Sequence, residues 1–156
     1  MKKVIFIAST GGHLNQLLGL NPIFKNYDYY VITEKTKSNI SLKEKYDKRI
    51  NYLIFGSKEH FFTYIFKYIC YYFCSIFYFI KIKPDYIITT GTHTAVPLCI
   101  IANIFKKKVV FIETRSSFNK ITLSGRIVAP FADMFVIQNK SLLGLSKSKN
   151  EVLCEM

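Results

Sequence analysis

A chain of 156 residues, half of them apolar, has the length for one buried core and one domain, and its formal net charge of +12 draws it toward polyanions: nucleic acid, anionic lipid headgroups or phosphorylated substrates. The four cysteines (Cys70, Cys74, Cys99, Cys154) have no paired metal-type spacing, and Met1-Lys2-Lys3 runs straight into a strand-like segment with no secretory apolar stretch. This argues against a disulfide scaffold and for a reducing cytoplasm, with no metal and no cofactor expected.

The elements follow in chain order. Residues 4–8 read as a buried strand, and 14–24 have helical spacing, interrupted by Gly19 and closed near Pro22. A second strand over 29–33 follows at the short interval expected of a βαβ unit. The polar stretch 35–48 is a loop or short helix, and 50–55 is a third strand. A long apolar helix over 60–82 leads through Pro84-Asp85 to a fourth strand, 86–90. A helix over 95–105 and a fifth strand over 109–113 close the series. Short apolar strands alternating with helices predict a parallel sheet covered on both faces, a Rossmann-like, doubly wound α/β fold.

Ligands of such a sheet sit at the carboxyl ends of the strands. Three polar clusters fall there: 9–13 after the first strand, 89–94 after the fourth and 113–115 after the fifth. In the first, Gly11 and Gly12 let a ligand approach the main chain while the next helix turns its free N–H groups toward the same space. The turn is therefore anion-receptive, although it lacks both the G-x-G-x-x-G fingerprint and a Walker lysine. Glu34 stands at the end of the second strand, where a ribose-binding acid of a dinucleotide site would be. His13 suits a general base or a partner for a substrate hydroxyl, and equally a helix cap. His93, in "TTGTHTAVP", offers the same choice, with Gly91 allowing a turn and Pro97 a helix first turn. Glu113 and Arg115 read either as base and phosphate clamp or as a local ion pair that pins the loop.

"HFFTYIFKYICYYFCSIFYFIKIK" is long enough to cross a bilayer. On an insertion scale the ten Phe and Ile residues of 61–80 contribute about −3 to −6 kcal/mol and Lys67 costs up to about +3, so a span roughly breaks even. Helical spacing puts Phe62, Phe66, Ile69, Phe73, Ile76 and Ile80 on one stripe, expected to cover the sheet. His60, Tyr64, Lys67, Tyr71, Ser75 and Tyr78 lie opposite, a face suited to a membrane interface or a partner protein. The basic residues come in pairs and triplets such as Lys106-Lys107-Lys108, without a recognition-helix, zinc-finger or RNP-like pattern, so no nucleic-acid partner is expected.

The "STGGH" turn, "PDYIITTGTHTAVP" and above all "FIETRSSFNKITLSGRIVAPFADMFVIQNK" resemble the membrane-associated subunit of split, two-chain glycosyltransferases, the PssD-like oligosaccharide-biosynthesis family of bacterial capsule and exopolysaccharide assembly. Its eukaryotic counterpart is the membrane-anchoring subunit of the UDP-N-acetylglucosamine transferase of dolichol-linked glycan assembly. The resemblance, over about residues 3–140, implies the N-terminal half of a GT-B glycosyltransferase, similar to the acceptor domain of MurG-like enzymes, with residues 141–156 an atypical tail. It implies a donor-binding partner subunit that holds the nucleotide sugar, a polyprenyl-diphosphate-linked acceptor, and a peripheral or monotopic place on the cytoplasmic face of the membrane. By this resemblance Gly11, Gly12 and His13 match the acceptor-side glycine motif, and Glu113 and Arg115 the acidic and basic residues after the fifth strand. The expected set is then His13 and Glu113 in catalysis, Gly11, Gly12, Thr92, His93 and Arg115 on the substrate, and Tyr64, Lys67, Tyr71 and Tyr78 on the membrane. Thr114 and Asn139 depart from the serine and the aromatic that members carry, and the tail lacks an aromatic, glycine-bearing final strand. No separate membrane helix precedes the first strand, so anchoring is expected from the aromatic helix and the basic surface. Two rival expectations are a purely structural anchor and activator, and a free nucleotide-binding Rossmann protein.

Overall fold

A computed structural model describes residues 1–54 and 61–154, and for 61–65 and 67 the backbone alone. Seven strands form one sheet: β1 (Lys3–Ile7), β2 (Asp28–Glu34), β3 (Ile50–Leu53), β4 (Tyr86–Thr89), β5 (Lys108–Ile112), β6 (Met134–Ile137) and β7 (Glu151–Leu153). All pairs are parallel, in the order β3-β2-β1-β4-β5-β6-β7. The order reverses between β1 and β4, which creates a crevice at their carboxyl ends.

The helices are α1 (Gly12–Gly19), α2 (Asn21–Phe24), α3 (Leu42–Tyr46), α4 (Phe61–Ile82), α5 (Val96–Ile104) and α6 (Leu123–Val128). Strand alternation sorts them into two layers. Val4, Phe6 and Ala8 point to one face and pack with Leu17 of α1, Phe24 of α2 and Tyr46 of α3. Ile5 and Ile7 point to the other, where they join Tyr71, Phe79 and Ile82 of α4, Leu98 and Cys99 of α5 and Val128 of α6. Phe111 and Phe135 stack at 5.1 Å between neighbouring strands, both fully buried, and each contributes about 1.5–3 kcal/mol by leaving water.

The expected doubly wound sheet is present, with three differences. Pro22 opens α2 in its first turn, where a missing N–H costs nothing, rather than closing the preceding helix. The sheet has two further strands beyond the expected five, and the segment after residue 140 adds β7 to its edge and Leu142 to its core. The long helix is turned the other way round. Tyr71 (1 % exposed), Ser75, Phe79 and Ile82 face the sheet, whereas Phe66, Ile69, Phe73, Ile76 and Ile80 are exposed. Tyrosine goes inward because its hydroxyl finds a buried acceptor, so the ring is buried with no unsatisfied group. Tyr71 donates to Glu34 Oε1 at 2.8 Å and Tyr78, half-buried, to the Tyr52 carbonyl at 3.3 Å. Tyr71 is not placed to meet lipid, which corrects the expectation for it. The side chains of Tyr64 and Lys67, the expected strand end at Phe55 and the helix start at His60 lie outside the described residues.

Cys99 is wholly buried and its thiol is pushed up to about 12 by desolvation, whereas Cys154 is exposed. A thiolate-selective reagent at neutral pH is expected to label Cys154 in the folded protein and Cys99 only after denaturation. Rapid labelling of Cys99 in buffer, read by mass spectrometry, would show that α5 is not packed on the sheet as described.

Candidate functional site

The crevice between β1 and β4 is closed by an exchange of hydrogen bonds between the two loops that border it. His13 Nδ1 donates to the Thr90 carbonyl at 2.7 Å, and Thr90 Oγ1 donates to the His13 carbonyl at 2.7 Å. A carbonyl only accepts, so Nδ1 carries the hydrogen, and in the neutral ring Nε2 keeps its lone pair. Two glycines make the arrangement possible. Gly11 has φ +84° and reverses the chain into α1, and Gly91 has φ +95°, with the His13 ring 3.5 Å from where a Cβ would be. Gly11 and Gly12 are both exposed at the turn.

Two cavities open from this staple. One, of about 350 Å³, is lined by His13, Thr92 and His93 from the loops, Tyr68 of α4 and Val96 of α5, and by α6 from Thr122 to Ile127. Its walls are polar toward the crevice and apolar toward Leu123 and Ile127, both solvent-exposed. The other, of about 400 Å³, lies on the α1 side and is lined by Asn15, Gln16, Thr90, Arg115 and Gln138. The expected residues are thus divided: His13, Thr92 and His93 border the first space, Arg115 the second.

Glu113 sits between them and is 1 % exposed. Oε1 accepts from the Thr114 N–H at 2.8 Å, and Oε2 accepts from the Thr122 N–H at 3.1 Å and the Thr122 hydroxyl at 3.0 Å. Thr122 in turn caps α6, its Oγ1 accepting from the Gly125 N–H at 3.1 Å. Glu113 therefore bonds its own loop rather than Arg115, and fastens both ends of the 114–122 segment. Arg115 is exposed and donates through Nε to Gln138 Oε1 at 2.8 Å, while Gln138 Nε2 donates to the Glu113 carbonyl at 2.6 Å. Asn139 Nδ2 donates to the carbonyls of Arg115 (2.9 Å) and Ser117 (2.6 Å). An amide makes these two bonds where an aromatic side chain could not, which gives the departure at Asn139 a local reason.

Sequence reading did not single out Tyr68, Gln138 or Thr122 for this site, nor foresee where Glu34 points. The Glu34 carboxylate is 2 % exposed and turned under the glycine turn, with Oε2 3.4 Å from the Thr10 N–H. Among the described residues no group of three or more His, Cys, Asp or Glu could hold a metal ion.

An all-parallel sheet with this reversal and polar loops at the crevice defines a Rossmann-like, doubly wound α/β unit. The solved structures agree: the chain superposes on Acinetobacter baumannii MurG with a TM-score of 0.77 at 16 % identity, covering 98 % of this chain and 45 % of that one. It superposes on the Staphylococcus aureus MnaA–UDP structure with a TM-score of 0.66 at 17 % identity, covering 98 % and 43 %. Residues 4–153 match the family described as "Oligosaccharide biosynthesis protein Alg14 like", and the chain belongs to it. It is 26 % identical over 162 aligned positions to the mouse UDP-N-acetylglucosamine transferase subunit ALG14, covering 87 % of this chain and 75 % of the mouse protein. The Candida albicans subunit of the same name is 33 % identical over 69 residues, 40 % of this chain and 32 % of that protein's length.

Gly125 tests the Glu113 latch. A Cβ there would sit 2.5 Å from Glu113 Oε2 and 2.9 Å from Ile121, whereas at Gly12 nothing lies within 4 Å. Gly125→Ala is expected to cost about 1–3 kcal/mol by overpacking, and Gly12→Ala under about 1. Equal denaturation midpoints for the two variants would show that the carboxylate is not held against α6.

Proposed function

We propose that this chain is the acceptor-side subunit of a two-chain glycosyltransferase, transferring a sugar from a nucleotide sugar held by a partner subunit to a polyprenyl-diphosphate-linked acceptor in bacterial capsule or exopolysaccharide assembly. The observation that carries this reading is His13: its ring is fixed by Thr90 at the crevice, with Nε2 as the basic nitrogen beside a cavity of about 350 Å³. The relatives' description as subunits of a UDP-N-acetylglucosamine transferase supports the division of labour.

In this reading the acceptor hydroxyl attacks the anomeric carbon as His13 Nε2 takes its proton, and the bond to the nucleoside diphosphate breaks toward the partner. The exposed turn of Gly11 and Gly12 and the N-terminal N–H groups of α1 face the acceptor diphosphate, together with the Arg115 guanidinium. Thr92 and His93 contact its sugar. Glu113 is the positioning residue that fixes the loop bearing Arg115, because its oxygens are already bonded to three donors.

The chain is further proposed to lie peripherally on the cytoplasmic face of the membrane. The outward face of α4 supports this, with Phe66, Phe73, Phe77 and Ile80 each more than half exposed. Ile104 and Phe105 of the α5 end are exposed beside the lysines at 81, 83 and 106, a combination that suits an anionic bilayer surface. Among the described residues no helix is long and apolar enough to cross a membrane.

Alone, the chain is expected to show no sugar transfer and no UDP-sugar binding, because its single Rossmann-like unit supplies only one wall of the donor pocket. With the partner, activity appears, and His13→Ala lowers it roughly 10²- to 10⁴-fold with the complex intact. Full activity of that variant would return His13 to a capping role and favour a purely structural anchor. Transfer by the isolated chain would end the split-enzyme reading. In fractionation, carbonate or high salt should release the chain from membranes, and Phe73→Glu with Phe77→Glu should move it to the soluble fraction. Unchanged membrane retention in that double variant would rule out α4 as the contact.

A further inference from the structure

We propose that Glu34 is a positioning residue for His93, held in place by Tyr71, so that a buried carboxylate orients the imidazole at the wall of the cavity where the acceptor is bound. This rests on the acceptor-side reading given above.

Glu34 closes β2 at 2 % exposure, where the neighbouring strand ends carry Ile7 and Leu53. Burying a carboxylate is unfavourable by several kcal/mol unless donors surround it, so an acid at this point needs partners. Its described partners come from three segments that border the cavity. Tyr71, itself 1 % exposed in the middle of α4, donates to Oε1 at 2.8 Å. The Thr10 N–H of the glycine turn reaches Oε2 at 3.4 Å. His93 Nε2, from the loop after β4, lies 4.0 Å from Oε1, within ion-pair reach. The main chain of Glu34 is fixed as well, its carbonyl accepting from Asn39 Nδ2 at 2.7 Å.

The exposures give the arrangement a direction. The His93 side chain is 26 % exposed and lines the same cavity as His13 and Thr92, whereas the Glu34 side chain is 3 % exposed and lies behind it. The Tyr71 and His93 rings are 5.9 Å apart, so the phenol packs beside the imidazole. A carboxylate behind one ring nitrogen sets the ring's rotation and leaves the opposite edge for a ligand oxygen, the logic by which buried acids orient histidines in many sites. Glu34 thus faces the ring of His93 with one oxygen while the other accepts from the Thr10 N–H. Tyr71 adds a link from the cavity to α4, whose outward face is the proposed membrane contact.

The test is a double-mutant cycle on acceptor binding. The full chain is bound to phosphatidylglycerol vesicles with and without undecaprenyl-diphosphate-linked N-acetylglucosamine, and the affinity difference is measured for wild type, Glu34→Gln, His93→Ala and the pair. Glu34→Gln and His93→Ala are each expected to lose about tenfold in acceptor-dependent affinity, the worth of one hydrogen bond to a charged group. The double variant should lose no more than His93→Ala alone, because Glu34 acts through His93. Tyr71→Phe should show a smaller loss that vanishes in the His93→Ala background, and it carries the cycle if Glu34→Gln does not fold. Additive losses, or wild-type affinity in Glu34→Gln, would overturn the proposal, as would a lowered melting temperature with no acceptor-specific change. If wild type shows no preference for the acceptor-bearing vesicles, the acceptor-side reading fails on its own. The orientation claim is then decided by the imidazole nitrogen resonances of the free chain. Glu34→Gln must move those of His93 while leaving those of His13 in place, and an unmoved His93 signal overturns it.

Discussion

The two hydrogen bonds exchanged between His13 and Thr90, each 2.7 Å, are the constraint on which the rest of the site depends. A parallel sheet that reverses its order leaves β1 and β4 diverging into separate loops, and nothing in the strand ladder holds those loops together beyond the strand ends. The exchange does so with one side chain and one carbonyl from each loop. It fixes the ring nitrogen that bears hydrogen, and Gly91 supplies the backbone at φ +95°, a conformation that strains any residue with a side chain. With the staple in place, the two cavities are divided by it rather than merged, and a ligand approaching either one meets polar atoms that are already oriented.

The strands and their alternation were legible in the sequence because a central strand of a parallel sheet must be apolar on both faces, and 4–8, 86–88 and 109–112 are. The edge beyond β5 was less so. β6 offers four residues between Asp133 and Gln138, and β7 offers Glu151–Leu153 in a lysine- and serine-rich segment. Strands that short have no period to detect, and they exist because a neighbouring edge supplies their hydrogen bonds. In the aromatic helix the stripe of phenylalanine and isoleucine is the more apolar of the two faces, because hydropathy ranks both residues above tyrosine. The decision fell to Glu34, 37 residues away in sequence, whose Oε1 accepts from the Tyr71 hydroxyl at 2.8 Å. A side-chain partner of that kind cannot be read from periodicity, and neither could the placement of Gln138 beneath Arg115 and Glu113.

The acidic residues, few in so basic a chain, are distributed with consequence. At the amino ends of the strands, Asp85 Oδ2 accepts the Lys3 N–H at 3.0 Å and Asp133 Oδ2 accepts the Val109 N–H at 2.9 Å. The first of these bonds holds the Asp85 carboxyl below its ordinary range, with lysines nearby adding to the effect. Arg49 pairs with Asp28 at 2.9 Å, and Lys108 with Asp133 at 2.6 Å. These contacts are partly exposed, so their energetic worth is modest, and their effect is to fix where each strand begins.

At the carboxyl ends the acids are different in kind. Glu34, at the end of β2, and Glu113, just after β5, flank the crevice on either side and are almost completely buried. Each accepts main-chain N–H groups from a loop, Thr10 in one case and Thr114 and Thr122 in the other. Each acid can thereby order a loop while its carboxyl group stays out of the cavity. An exposed carboxylate in the crevice would repel a diphosphate. Two buried ones, each enclosed by the loop it organises, keep acidic side chains out of the crevice, while the Arg115 guanidinium stays exposed at its rim.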